Sequence, residues 1–186
     1  MKRVSKYVWM ALIALLIVGC DEQKGPEEKG EIRLSSESFG TTSYYLIGYH
    51  FEESEFYRYP TEGGQIPDII NEGYRVLGEG GGFITLPGFN TPAQMNGFAL
   101  VGEFESLDGA RSYYEAYEEV EDGLQFETIS DTVRLFQVWV QKTSSDKYVK
   151  LLVKDIQDYE GNSGNLFNDV LLEFTYQSDG SATFPN

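Results

Sequence analysis

The side chains capable of ligation or nucleophilic chemistry are few. The chain holds one histidine, His50, and one cysteine, Cys20, and beyond residue 19 its only methionine is Met95. A histidine and a methionine form a legitimate axial pair for haem iron, so His50 and Met95 are the candidate metal ligands. Tyr45 and Tyr49 lie close to His50 in sequence and Phe89 close to Met95; such flat side chains would suit a porphyrin face. They would equally suit a carbohydrate platform, or simply a core. A single histidine leaves no two-histidine zinc site, and no G-x-S-x-G elbow is present to build a serine nucleophile. The run Gly78-Glu79-Gly80-Gly81-Gly82 lacks the Gly-Lys-Ser/Thr of a phosphate loop and reads as a turn. Asp158 to Asn165 places oxygen side chains at alternate positions, but an EF-hand loop needs glycine sixth and glutamate twelfth, where Ser163 and Asp169 stand. That segment reads as a hairpin loop. Among 30 acidic residues, close carboxylate pairs arise by chance, so they single out no glycosidase site. No catalytic residue is assigned, and the expectation is a protein that is not an enzyme.

The N-terminus carries an address. Lys2, Arg3 and Lys6 precede an uncharged apolar run from Val8 to Val18, the pattern of a secretory signal. That run is shorter than the roughly 20 residues of a membrane-spanning helix. It ends in Leu16-Ile17-Val18-Gly19-Cys20, which resembles the bacterial lipobox and implies cleavage before a lipidated Cys20. The expected division is a lipoprotein signal peptide over 1–19, a lipidated flexible tether over 20–38 and one domain over 39–186. The tether reading rests on the charged, Gly- and Pro-containing stretch Asp21 to Ser38, which shows no apolar period. The acids following Cys20 also resemble surface-export signals, so the expected location is the outer membrane, surface-exposed or periplasmic. Acyl anchoring to the membrane is the one partner the address names directly. Without Lys2, Arg3 and Lys6, 11 basic residues face 30 acids, a net charge of −19. A chain so acidic is not expected to bind nucleic acid through phosphate contacts.

The elements that must position these residues read as mainly β, a β-rich α+β domain. Strands are expected at Tyr44 to Phe51, Ile66 to Ile70, Phe83 to Leu86 and Phe98 to Phe104. Ser106 can cap a helix reaching about Val120, with Leu107, Ala110, Tyr114, Tyr117 and Val120 on one face. Glu118, Glu119 and Glu121 oppose its dipole and should fray its end. Strands over Thr132 to Lys142, Lys147 to Ile156 and Asp169 to Gln177 then form a C-terminal, three-stranded antiparallel meander.

This last stretch carries a resemblance. Val138-Trp139-Val140-Gln141-Lys142-Thr143, Asp146 to Leu151, Gly161-Asn162-Ser163-Gly164 and Leu172 to Tyr176 look like the C-terminal part of the HmuY-like lipoproteins of Bacteroidetes outer membranes. Asp146 stands where that family usually has glycine, and the likeness covers roughly residues 132–176. It implies a mainly β haem-binding protein that captures its cofactor for uptake and hands it to an outer-membrane transporter. The family holds iron between two histidines or two methionines, and neither His50 nor Met95 aligns onto a family ligand. The alternatives are a glycan- or protein-binding surface lipoprotein without haem, or a structural subunit of an envelope complex.

Overall fold

The computed structural model describes residues 25–61, 64–78, 81, 83–93, 96–130, 132–161 and 164–185. Cys20, Met95 and the signal segment lie outside them. Among the described residues no helix is long and apolar enough to cross a membrane.

Among the described residues the fold is mainly β with one helix. Its centre is a five-stranded antiparallel sheet containing β1 (Lys29–Ser35), β8 (Phe98–Glu103), β9 (Gln137–Lys142), β10 (Tyr148–Glu160) and β11 (Leu166–Gln177), in the order β1-β11-β10-β9-β8. The C-terminal meander β9-β10-β11 is present, and β10 and β11 form the longest hairpin. Three two-stranded ribbons accompany the sheet: β2 (Leu46–His50) with β3 (Glu55–Tyr59), β4 (Ile70–Asn71) with β7 (Phe89–Asn90), and β5 (Tyr74–Leu77) with β6 (Phe83–Leu86).

Alternation along the strands builds two cores. Val149, Leu151 and Val153 of β10 point to one face, joined by Val170, Leu172, Phe174 and Tyr176 of β11 and Ile32 and Leu34 of β1. The ribbons and their loops cover that face with Tyr49, Phe51, Ile69 and Phe89. On the opposite face Val138 and Leu152 pack under Ala110 and Tyr114 of the helix α1 (Leu107–Ala116). Val140 packs there against Tyr117, Val120 and Phe184.

The strand expected over Ile66 to Ile70 is reduced to Ile70–Asn71, and β10 and β11 extend to Glu160 and from Leu166 into the expected hairpin loop; three further differences have a visible cause. The segment read as a tether to residue 38 supplies an edge strand, β1, whose Ile32 and Leu34 are buried between charged neighbours. Two apolar residues are too short a period to stand out in a charged stretch, yet pairing along all of Lys29–Ser35 with β11 holds them in place. The strand expected from Thr132 begins only at Gln137, because Phe136 turns the chain at a positive φ of 65° and the Gln137 side chain accepts from the Arg134 N–H at 2.8 Å. The helix expected to reach Val120 stops at Ala116. Its last turn holds no basic residue, and the three glutamates beyond it would have faced the negative end of the dipole. The chain instead extends and pairs with the C-terminal segment, Val120 N–H to Ala182 C=O at 2.9 Å and Phe184 N–H to Glu118 C=O at 2.8 Å.

The helix end is capped from the sheet. Lys150 of β10 donates from Nζ to the Tyr114 and Tyr117 carbonyls at 2.5 and 2.7 Å, and the ammonium lies 4.5 Å from the Tyr114 ring centre. A cation from another element thus satisfies carbonyls that a last-turn lysine would otherwise meet.

On the other face, the β2–β3 ribbon can lie close only because Gly48 has no side chain. A Cβ there would come 2.4 Å from the Ile69 carbonyl oxygen, 2.5 Å from Ile70 Cγ2 and 2.7 Å from Pro67 Cβ. Gly48→Ala should therefore cost about 1–3 kcal/mol in chemical denaturation. Gly25→Ala, where a Cβ meets nothing within 4 Å, should change stability by less than about 0.5 kcal/mol.

Candidate functional site

His50 ends β2 and is 7% exposed. Its Nδ1 accepts the Glu53 N–H at 3.3 Å, and the nearest Asp68 oxygen is 3.9 Å away, beyond hydrogen-bond reach. Nδ1 is therefore an occupied acceptor. The Tyr57 ring stands edge-on at 6.1 Å. Asp68, also buried, accepts from the Phe51 N–H at 3.0 Å and from the Ser144 N–H and hydroxyl at 2.9 and 2.8 Å. The Gln141 amide donates to the Asp68 carbonyl at 2.6 Å. His50 thus borders a structural joint between β2, the residues before β4 and the β9–β10 turn.

The aromatic residues expected at a pocket wall are placed otherwise. Tyr49 and Phe89 are 3% and 0% exposed and belong to the core. Tyr49 meets Phe51 and Phe56 edge to face at 5.1 and 4.9 Å, and Phe89 packs on Phe98 at 6.0 Å. A β-strand dense in aromatics must turn some of them inward, and strand alternation sends Tyr49 there. Tyr45 is half-buried, stacked on Phe39 at 5.8 Å and covered by the Arg58 guanidinium at 4.7 Å. Met95 and Cys20 lie outside the described residues. Neither His50, Tyr45, Tyr49 nor Phe89 lines either of the two grooves described next.

One groove, of about 720 Å³, runs between the connection after β1, the β5–β6 ribbon and the far end of the β10–β11 hairpin. Ser36, Glu37 and Ser38 form one side; Glu72, Arg75 and Thr85 form another; Asn165 and Phe167 close the end. Tyr44 lines it with 68% of its surface exposed. Phe167 is fixed by stacking on Tyr159 at 5.3 Å and 19°. The walls are tied together: Thr85 Oγ1 donates to the Leu166 carbonyl at 3.1 Å, and Asn168 donates from its backbone N–H to Ser36 Oγ at 2.9 Å and from its side-chain amide to the Thr85 carbonyl at 3.1 Å. Gly73 has a φ of +68°, and a Cβ there would meet Ser36 and Thr85 at 2.9 and 3.0 Å, so the close approach of these walls requires glycine. Sequence reasoning passed over this site because three of its residues sat in the presumed tether. It also weighed Tyr45 and not its neighbour Tyr44.

A second groove, of about 610 Å³, lies where α1 leaves the β1–β11 side of the sheet uncovered. Lys29, Glu31, Glu173 and Thr175 form its floor, Arg111, Tyr114, Glu115 and Glu118 one wall, and Phe184 and Pro185 one end. Arg111 pairs with Glu173 at 3.2 Å, and Lys154 pairs with Glu173 at 3.2 Å and with Glu31. Lys150 also lines it, 5% exposed. Burial, helped by the nearby Lys29 charge, pushes the Lys150 amine down to about 8.

No family model matches the chain, and a search of curated proteins found no relative.

The Lys150 shift has a sign that can be checked. Between about pH 8 and 10.5 the folded protein has released a proton that the unfolded chain still holds, so stability contributed through this group rises with pH across that window and is flat below it. Relative to Lys150→Met, the wild type should gain on the order of 2–3 kcal/mol between pH 7.5 and 10.5, measured by urea denaturation at both pH values.

Proposed function

We propose that the chain is a non-enzymatic, lipid-anchored envelope protein that binds a glycan in the groove beside Tyr44. The observation that carries this reading is a largely exposed aromatic ring set among hydroxyl, carboxylate, guanidinium and amide groups. A sugar presents an apolar C–H face to a ring and a rim of hydroxyls to polar partners. An amphipathic aromatic at a partly wet site suits that double demand. The groove's volume lies within the roughly 300–1,000 Å³ typical of small-ligand sites. Its polar residues come from three elements, so they can address hydroxyls in several directions at once.

Haem capture, the function implied by the likeness to HmuY-like lipoproteins, draws less support from the placement of His50. One ring nitrogen is occupied, and the side chain is almost wholly covered. Axial ligation through Nε2 would require this covering to move. Of the aromatic residues first suited to a porphyrin face, Tyr49 and Phe89 are committed to the core, and Tyr45 is half-buried beneath the Arg58 guanidinium.

The soluble chain from residue 21 onward, probed on an array of bacterial and host glycans, should give a coherent set of hits. Tyr44→Ala should weaken the best of them at least about tenfold, the equivalent of about 1.4 kcal/mol. An empty array, together with a saturable Soret band on haemin titration that disappears in His50→Ala and Met95→Ala, would replace this reading with haem carriage.

A further inference from the structure

The groove beneath α1 has a charge balance unlike the rest of the molecule. Four of the 11 basic residues beyond the signal segment line it, Lys29, Arg111, Lys150 and Lys154, facing four carboxylates, Glu31, Glu115, Glu118 and Glu173. Beyond the signal segment the net charge is −19, so an anionic group approaching the molecule meets repulsion on average. Here it does not.

Internal pairing divides these eight groups into three sets. Arg111, Lys154, Glu31 and Glu173 are joined in one network of ion pairs. Lys150 is held by the Tyr114 and Tyr117 carbonyls. Among the described residues, Lys29, Glu115 and Glu118 have no ion-pair partner within 4 Å. Lys29 on the sheet floor, Glu115 on the helix and Glu118 just beyond it therefore line one groove without a close ion partner, the two carboxylates acting on the Lys150 charge only from beyond 4 Å. The apolar lining is the half-buried Pro185 with the edges of the buried Tyr114 and Phe184 rings.

We propose that this groove binds a small zwitterion bearing an ammonium, a carboxylate and an apolar side chain, the chemistry of an amino acid or a short peptide. Glu115 and Glu118 receive the ammonium, Lys29 receives the carboxylate, and the apolar part rests against Pro185 at the groove end. The fixed network on the floor holds the β1 and β11 side chains in place, so the site is largely formed before the ligand arrives. This site is separate from the glycan groove, sharing none of its lining residues, and stands or falls independently of it.

The test is calorimetric titration of the full chain in detergent with four probes: leucine, leucinamide, N-acetyl-leucine and leucyl-leucine. Leucine or the dipeptide should bind saturably. Removing the carboxylate in leucinamide or the ammonium in N-acetyl-leucine should each weaken binding at least tenfold. Lys29→Gln and Glu118→Gln, both in groups without an ion partner, should each lower affinity at least fivefold without changing the thermal midpoint of the unliganded chain. Tighter binding of leucyl-leucine than of leucine assigns the site to peptide ends, and the reverse order assigns it to free amino acids. Equal affinity for leucine and both blocked forms, no change in Lys29→Gln, or no binding of leucine or the dipeptide at 10-fold molar excess and millimolar concentration would overturn the proposal.

Discussion

A ten-residue helix cannot cover a five-stranded sheet. At about 1.5 Å per residue α1 is on the order of 15 Å long and 10 Å wide, whereas five strands spaced about 4.8 Å apart span roughly 20 Å, and the longest of them run further still. The helix takes the apolar part of its face, over Val138 and Leu152. The remaining part, toward β1 and β11, meets solvent. Side chains there must tolerate water, and Lys29, Glu31, Lys154, Glu173 and Thr175 do. Strand alternation makes this possible: within one strand Leu172 and Phe174 fill the core while Glu173 and Thr175 face the groove. The charged groove is thus a consequence of how far the helix reaches.

The same reasoning explains the opposite face. It carries the larger core and is covered by short ribbons, none of which has a sheet to extend. Such pieces need anchoring by side chains at their joints. Asp68 gathers three donors from two separate segments. Asn71 donates to the Leu34 carbonyl and to both the carbonyl and side-chain oxygen of Asn168. Buried polar groups used this way are stable only when fully partnered, which is why His50, beside Asp68, is better understood as part of a joint than as a free ligand. Beside the bonds that tie Thr85 to Leu166 and Asn168, the β5–β6 ribbon and the β10–β11 hairpin part and the Tyr44 groove opens.

Much of the fold was legible in the sequence because its signals are local. The alternation in Val149, Leu151 and Val153 marked β10, and Ser106 marked the helix start, where its hydroxyl accepts the Gly109 N–H. What was not legible depends on distant partners. Ile32 and Leu34 become a strand only because β11 offers an edge, and α1 ends at Ala116 because the backbone from Glu118 to Val120 finds the C-terminal segment. The candidate sites suffered most. His50 drew attention by being the only one of its kind, but rarity says nothing about exposure. Lys150 drew none, since a lysine on the polar side of an alternating strand reads as solvated, yet packing places it under the helix end. Groove residues such as Tyr44, Arg75 and Phe167 are scattered over the chain and share no motif.

The central claim is that ligands enter the two grooves left by incomplete covering and not the surroundings of His50. Backbone amide mapping by NMR tests it most directly, using the isotopically labelled soluble chain from residue 21 with monosaccharides, leucine and haemin added in turn. The account predicts sugar-induced shifts confined to residues around Tyr44, Arg75 and Phe167, leucine-induced shifts around Lys29, Glu118 and Thr175, and no saturable response at His50, Glu53 or Phe51. Silence in both grooves, with saturable haemin-induced changes centred on His50 and its neighbours, would contradict it.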